Sequence, residues 1–313
     1  MVHEFALEPA LVATWGKLEE YRYFHDKFGL GQPRLVSQLP KLKNWRRQVL
    51  TSASQAGAME LERITALINI LAERMILREG SIYDGNIPWL ENAEKEHVRC
   101  PFHAILALTN PRKHPCVLFG PVLGEAPNPM WDLRREDTVP RSPKALAGSV
   151  AGILRNCSEV VFIDPHFASE DRRYTRPLKF FMNFLVKDRV CPLPHRVELQ
   201  TLAKSSSEFF RSECETRLPK IVPDGLTLVL KRLKQNETGQ RLHNRYILTD
   251  IGGVKFGTGL DENRQDPVGD TDDVSLMNRE VYCLRWSQYA GPNPVFELAE
   301  EPIAIVGRAK LNR

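Results

Sequence analysis

The sequence predicts an α/β protein, and three observations support this prediction. Beyond residue 143 strand-like apolar runs alternate with helical patterns, helical patterns dominate the chain before residue 140, and a proline-rich stretch separates the two regions. Strands that alternate with helices are typical of a mixed or parallel sheet with helices on both faces. We therefore expect a mainly helical domain over residues 1–140 and an α/β domain over residues 141–313.

Composition places the chain among ordinary globular proteins. Its 313 residues, 42% of them hydrophobic, suffice for one or two cores. No apolar run approaches the length of a membrane span, the N-terminus lacks the pattern of a signal peptide, and six scattered cysteines are typical of reduced thiols. We expect a cytoplasmic protein without a membrane partner. The formal net charge of +4 permits a nucleic-acid partner without requiring one.

The first half begins with helical patterns and a basic stretch. We expect one helix from Glu8 to about Phe28, and a clear one over residues 58–79, where apolar residues recur at three- and four-residue steps. Between them lie five cations without an acid, around Trp45: Arg34, Lys41, Lys43, Arg46 and Arg47. These five are candidate nucleic-acid contacts with Trp45 as a stacking aromatic. The alternative is a solvated helix face with Trp45 in the core.

A cluster of possible metal ligands follows the long helix. It contains His97, Cys100, His103, His114 and Cys116 within twenty residues. Zinc binds such side chains, but this spacing matches no structural zinc pattern. We therefore expect structural histidines with satisfied hydrogen bonds, and neither a metal nor a cofactor.

The second half opens after prolines that mark residues 121–143 as a linker. A buried strand is expected over Glu159–Asp164, ended by the turn Pro165-His166-Phe167. Ser205 to Glu208 form a capping box that opens a helix to about Leu218. The remaining expected elements are helices over 144–155 and 176–187 and strands over 196–202 and 226–233.

The chain is organised around residues 241–261, which have the pattern of a β-hairpin. Tyr246 to Leu248 favour a strand, Gly252-Gly253 favours a tight turn, and Val254 to Phe256 alternate again. Residues two apart on a strand share a face, so His243 and Arg245 are expected side by side. A histidine beside a planar cation suits chemistry on a phosphate ester.

This stretch resembles the HKD signature of the phospholipase D superfamily. The family's His, the Lys two residues later, the Asp five further on and the Gly-Ser/Thr after six more correspond to His243, Arg245, Asp250 and Gly257-Thr258. The family also carries Asn-x-Glu on the next strand. Asn278-Arg279-Glu280 precedes the strand-like Val281–Trp286. The resemblance implies a phospholipase D-like mixed or parallel sheet flanked by helices.

Two positions depart from the family pattern. Arg245 stands where Lys is usual, and its larger forked cation is not equivalent at a tight phosphate site. Leu260 stands where the family has Asn, and Asn263 is near enough in sequence to substitute. The implied phosphate-binding residues are then Gly257, Thr258, Asn263 and Asn278.

The resemblance implies a metal-independent mechanism through a phosphohistidine. Neutral His243 would attack phosphorus, and because the chain carries a single motif, His243 of a second subunit would protonate the leaving oxygen. Arg245, Thr258 and backbone N–H groups of the glycine turn would hold the non-bridging oxygens. Glu280 would orient the His243 ring, and Asp250 would support the motif without contacting the phosphate itself.

We expect a nuclease acting on DNA or RNA as a homodimer, because the chain has basic stretches, among them the one around Trp45 and the cations Lys231, Arg232 and Lys234, and no amphipathic lipid-binding helix. The helical first half would bind nucleic acid, dimerise or dock a protein partner in a larger host-defence or repair assembly. The alternative from another class is a degenerate module that binds phosphate or a protein partner without turnover, which Arg245 and Leu260 favour. A lipid phosphodiesterase is the third reading.

Overall fold

The structure is a computed structural model that describes residues 1–237, 239–266 and 268–310. The chain divides into two compact units between Arg135 and Glu136, and Met1 groups with the second. The sequence analysis put this boundary after residue 140. Both units are α/β, and each is built around its own sheet.

The first unit contains a parallel sheet. In the part of the chain that the structure describes, this sheet has five strands in the order β3-β2-β1-β4-β5, and every pairing is parallel. The strands are β1 His3–Leu7, β2 Arg34–Ser37, β3 Met75–Ile76, β4 Ala104–Ala107 and β5 Val117–Phe119. The helices are α1 Pro9–Thr14, α2 Leu18–His25, α3 Leu42–Ser52, α4 Ala58–Ala72 and α5 Trp89–Arg99.

Apolar side chains cover both faces of this sheet. Phe5 and Leu7 of β1 pack with Trp45 and Ile64 from α3 and α4, whereas Ala6 on the opposite face packs in the core that includes α5. Parallel strands buried on both faces show no polar alternation. Their sequences therefore carry little of the period-two signal by which strands are recognised.

The prediction of a mainly helical first domain was wrong. Four-residue strands such as Ala104–Ala107 are too short and too uniformly apolar to be distinguished from helix by periodicity. The expected helix over 8–28 is two helices, α1 and α2, and the helix expected to run to residue 79 ends at Ala72. Tertiary packing decided these elements, because local propensity is a weak guide over so few residues.

The proline-rich stretch is not a simple linker. Trp131 lies in its middle and is buried in the core of the first unit, where its ring contacts Phe5 and the guanidinium of Arg34. The last residues of the stretch, Glu136–Pro140, form strand β6 of the second unit. Prolines mark irregular backbone here, with residues 124–127 exposed and Trp131 anchoring the stretch to the core of the first unit.

The second unit contains a mixed sheet with helices. Within the described residues its order is β13-β9-β8-β7-β10-β11-β12-β6, with β7, β8 and β9 parallel and the other pairings antiparallel. The further strands are β7 Glu159–Ile163, β8 Arg196–Leu202, β9 Thr227–Leu233, β10 Arg245–Thr249, β11 Gly252–Phe256, β12 Thr271–Leu276 and β13 Ile303–Val306. The helices are α6 Pro143–Ser149, α7 Ala151–Leu154, α8 Arg172–Phe184, α9 Ser207–Arg217 and α10 Arg279–Tyr289.

Most predicted elements of this unit are confirmed. The strand expected over 196–202 is β8, the hairpin is β10 and β11, and Ser206 caps α9 by accepting a hydrogen bond from Phe209 N–H. The strand expected over Val281–Trp286 was wrong, because these residues lie in α10. Asn278 accepts a hydrogen bond from Val281 N–H and caps that helix, and Tyr282 donates to the Thr249 carbonyl at 2.7 Å.

Within the described residues, no helix is both long and apolar enough to cross a membrane. The six cysteines are unpaired thiols. Burial raises the pKa of Cys116 from its ordinary 9.0 to about 11 and that of Cys214 to about 12, whereas Cys283 lies exposed on α10.

Thiol alkylation tests this arrangement. We expect iodoacetamide at pH 8 to modify Cys283 first, because it needs an accessible thiolate, and each unit by which a pKa rises lowers the thiolate fraction about tenfold. Cys283→Ser should remove the fast phase seen by mass spectrometry. Equal early modification of Cys214 in the folded protein would contradict the packing described.

Candidate functional site

One edge of the second sheet collects polar side chains. Strands β7 and β8 are parallel, so their carboxyl ends share an edge, and β10 runs antiparallel to β7 and therefore begins at that edge. Asp164 and His166 follow β7, Lys204 follows β8 and Arg245 opens β10. Side chains from three neighbouring strands thus converge, as is usual for sites at the carboxyl ends of strands.

A cavity of about 590 Å³ lies at this edge. Its lining is strongly polar and includes four arginines. The sequence-predicted residues among its lining are Arg245, Thr258 and Asn263. The other lining residues are Arg141, Asp164, His166, Arg173, Tyr174, Asp261, Glu262, Arg264 and Gln265. A pocket of this size accommodates a small ligand or one segment of a polymer.

Arg245 lines the cavity, and no carboxylate is bonded to its guanidinium among the described residues. Its Nη1 donates to the His243 carbonyl at 2.9 Å, and no acidic group lies within ion-pair distance of it among the described residues. Asp164, another lining residue, interacts electrostatically with Arg245. Burial raises the pKa of Asp164, although N–H groups of His166 and Leu260 and the charge of Arg245 oppose the rise. Arg245 is therefore free to bind an anion.

The loop after Thr258 is held by ion pairs. The buried Asp261 carboxylate contacts Arg141 Nη2 at 3.0 Å and Arg173 Nη2 at 3.1 Å, and Glu262 contacts Arg176 at 3.0 Å. Paired charges of this kind position the wall of the cavity, and they leave little charge for a ligand.

The glycine turn does not offer the backbone N–H groups that the resemblance implied. Thr258 N–H donates to Asp272 Oδ1 at 2.8 Å, Gly259 N–H donates to Asp272 Oδ2, and Gly257 N–H donates to the Asp273 carbonyl. Gly257 is required because a Cβ would lie 2.9 Å from the Asp272 carboxylate. Thr258 is the residue of this turn that lines the cavity.

His243 lies just before the strand rather than on it. Strand β10 begins at Arg245, and the His243 ring is exposed and outside the cavity lining. Its Nδ1 lies 3.1 Å from the Arg241 carbonyl. A carbonyl only accepts, so Nδ1 carries the proton and the neutral ring keeps its lone pair on Nε2. The ring is therefore oriented by a backbone carbonyl.

Glu280 does not orient His243, which corrects the expectation from sequence. It is exposed in the first turn of α10, and that turn lies at the Thr249 end of β10, because Met277 N–H donates to the Gly253 carbonyl. Thr249 lies four residues along the strand from Arg245, about 13 Å at 3.3 Å per residue. Asn278 caps the helix at the same end and cannot bind a phosphate beside Arg245.

Asp250 also belongs to the far end of the strand. Its Oδ1 accepts Ser158 N–H at 2.8 Å and Glu159 N–H at 3.1 Å, which ties the hairpin to the start of β7. It supports the strand that presents Arg245 and is not among the residues that line the cavity.

Asn263 lines the cavity, but its amide is already bonded. Nδ2 donates to Asp270 Oδ2 at 3.0 Å, and Oδ1 accepts Gln265 N–H at 2.9 Å. Leu260, at the family's Asn position, is buried and donates its N–H to Asp164. Asn263 therefore shapes the loop rather than replacing the missing Asn.

Sequence reasoning missed His166, Lys204, Arg141 and Arg173. The turn Asp164-Pro165-His166 was recognised as the end of a strand, and the only signal for a site was its place at a carboxyl edge. Lys204 Nζ lies 2.6 Å from His166 Nδ1, a contact between two loops that no local pattern predicts.

The basic stretch of the first unit divides into core and surface. Arg34 is buried in β2, over the Trp131 ring at 4.0 Å and bonded to the Trp131 carbonyl, so it is not a nucleic-acid contact. Trp45 is buried with Nε1 donating to the Leu7 carbonyl, so it is not a stacking platform. Exposed cations remain on or beside α3: Lys41, Lys43, Arg46 and Arg47.

The histidine and cysteine cluster forms ordinary hydrogen bonds. His97 Nδ1 accepts Phe102 N–H, His103 Nε2 lies 3.0 Å from the Met130 carbonyl, and His114 Nδ1 lies 2.9 Å from Cys116 Sγ. Burial lowers the pKa of His97 and of His103. Among the described residues, no three His, Cys, Asp or Glu side chains are grouped as metal ligands.

Comparisons with protein-family models, with curated proteins and with solved structures find no match to this chain.

Replacing Asp250 tests its structural role. Asp250→Ala leaves two backbone N–H groups without their acceptor, and we expect a loss of about 1–3 kcal/mol in the free energy of unfolding. Asp224→Ala is the control, because Asp224 is exposed and its side chain has no hydrogen bond among the described residues. Urea denaturation measures both, and equal stability of the two variants would contradict the anchor.

A second pair of variants separates core from surface in the basic stretch. Arg34→Met removes a buried guanidinium that bonds two carbonyls, and we expect it to destabilise the first unit by about 2–4 kcal/mol. Lys43→Met should change stability by less than about 0.5 kcal/mol. Thermal unfolding measures the stability of both variants, and DNA binding at several salt concentrations measures their affinity. A DNA-binding defect in a fully stable Arg34 variant would contradict the assignment of Arg34 to the core.

Proposed function

We propose that the second unit is a phospholipase D-like, metal-independent phosphodiesterase that acts on nucleic acid. The observation that carries the proposal is the arrangement of His243 and Arg245. The Arg241 carbonyl holds the His243 Nδ1 proton and leaves the Nε2 lone pair available. Arg245, two residues later, presents a cation without a bonded carboxylate to a cavity that Thr258 also lines.

In the proposed reaction, His243 Nε2 attacks phosphorus, and the bond from phosphorus to the leaving oxygen breaks. A second histidine, His243 of another subunit, gives its proton to that oxygen. The same residue then takes a proton from water, which attacks phosphorus and breaks the P–N bond. Arg245 and the Thr258 hydroxyl bind the non-bridging oxygens as charge develops. Side chains supply every proton transfer, so the scheme requires no divalent metal.

The proposed substrate is DNA or RNA, but fewer cations support it than the sequence indicated. Arg232 is buried against Glu300, Lys231 contacts Glu198 at 2.9 Å, and Lys234 contacts Glu297. The exposed cations of α3 in the first unit and Arg245 in the second remain as proposed phosphate contacts.

A second candidate function is phosphate binding without turnover. The observation that favours it is the exposure of His243 outside the cavity lining, without a carboxylate on its ring. Such a module would bind nucleic acid or a protein partner through the same cavity.

Cleavage assays in EDTA separate these functions. We expect the protein to cut single- or double-stranded DNA or RNA, and we expect His243→Ala and Arg245→Met each to lose at least about 100-fold in rate, since nucleophile and charge stabiliser act in one step. His25→Ala is the matched control, because His25 is a surface histidine of the first unit paired with Asp26.

Mass in solution tests the shared site. We expect a dimer, and mixing the unaltered protein with an excess of His243→Ala should lower the activity per unaltered subunit, because a mixed dimer carries only one of the two histidines that the shared site needs. Salt-sensitive binding without cleavage by the unaltered protein would instead establish the binding module.

A further inference from the structure

His166 and Lys204 form a contact that the proposed reaction does not use. Lys204 Nζ lies 2.6 Å from His166 Nδ1, and both side chains are exposed at the edge where Arg245 begins β10. His166 also lines the cavity. An exposed lysine and an exposed histidine gain little stability from each other, so a structural role does not account for the pair.

The chemistry of the contact decides where the His166 proton lies. An ammonium group only donates, so Nδ1 accepts and keeps its lone pair. The proton of the neutral ring is then on Nε2, which has no hydrogen-bond partner among the described residues. The two histidines therefore carry the ring proton on different nitrogens: His166 on Nε2 and His243 on Nδ1, which leaves the His243 lone pair on Nε2. His166 is a donor and not a nucleophile.

The surroundings keep this ring neutral. Burial lowers the pKa of His166, and the nearby charges of Lys204, Arg245 and Arg173 lower it further, while Asp261 opposes them. No further acidic group bonds to the ring in the described parts of the chain. At neutral pH the ring is thus an uncharged donor beside two cations.

The charges around the cavity fall into two groups. Arg141 and Arg173 contact Asp261, and Arg264 contacts Asp171 at 2.9 Å, so their charges are balanced. Lys204 and Arg245 have no carboxylate at ion-pair distance among the described residues. The unbalanced positive charge therefore lies at the sheet edge, on both sides of His166 in the order β8, β7, β10.

We propose that His166 Nε2–H and the Lys204 ammonium bind phosphate oxygens together with Arg245, so that one chain completes the phosphate site. The inference rests on the proposed function for its substrate, a phosphodiester. It assigns donors that the glycine turn does not supply, because Asp272 accepts the N–H groups of Thr258 and Gly259. His166 positions the phosphate, and His243 remains the group that reacts.

Titration with inorganic phosphate tests the assignment without requiring turnover. A hydrogen bond to a charged group is lost in each case, so we expect His166→Ala and Lys204→Met each to weaken phosphate binding by about 10- to 100-fold. His166→Gln should recover part of the affinity, because its amide places a donor near Nε2. Lys179→Met is the control, an exposed lysine on α8 outside the cavity lining.

Nitrogen-15 NMR of the histidines supplies a second readout. We expect neutral His166 to show the Nε2–H form, with a titration midpoint below that of an ordinary histidine. Lys204→Met removes a neighbouring cation and should raise that midpoint, since a like charge disfavours the imidazolium. This effect does not depend on whether the protein cleaves anything.

The outcomes separate the two proposals. Loss of phosphate binding in His166→Ala and Lys204→Met, in a protein that cuts no substrate, would support this phosphate site and overturn the phosphodiesterase. Unchanged phosphate affinity in both variants, or the Nδ1–H form of His166, would overturn the inference even if His243→Ala abolishes cleavage. Absence of phosphate binding to the unaltered protein would overturn it as well.

Discussion

The hydrogen-bond register between β7 and β10 is the constraint on which the site depends. Tyr246 pairs with Ile163 and Thr249 with Val160, so the start of β10 lies beside the end of β7. A shift by one residue would turn Arg245 to the opposite face and bury its charge among apolar side chains. Asp250 holds this register from the other end through the N–H groups of Ser158 and Glu159. The pairing of β7 with β10 therefore fixes where the side chains of the cavity lie.

Pairing of charges then distinguishes the wall of the cavity from its binding surface. Asp261 is nearly inaccessible to water and is stable there because two arginines contact it. Breaking such a pair leaves a buried charge without a partner, which costs more than the pair contributes. Arg245, which lines the cavity, and Lys204, which contacts the lining residue His166, have no bonded carboxylate among the described residues, and we propose them as the anion contacts. Counting arginines near a pocket would not have separated these two groups.

Both units contain parallel strands, but the residues around those strands differ between the units. Both have parallel strands whose carboxyl ends lie together, but in the first unit those strands are covered by apolar packing around Trp45 and Trp131. In the first unit, as in the second, some basic side chains are bonded to protein groups and others are exposed. Arg34 faces the core and is satisfied by carbonyls, while the cations of α3 face water. Identical residue types thus have structural or binding roles according to what lies next to them.

The sequence by itself determined the α/β character of the second unit and the hairpin of β10 and β11, and it marked Arg245 and Thr258, which line the cavity, as candidate site residues, because turn glycines, strand propensity and short spacing are local signals. It did not determine the parallel sheet of the first unit, since strands of four buried residues have no periodicity of their own. Only the tertiary structure decided that Glu280 and Asn278 lie at the far end of β10, and that His166 and Lys204 meet beside Arg245. Those relations depend on which strands are neighbours, and residues 166, 204 and 245 are distant along the chain but adjacent in the sheet.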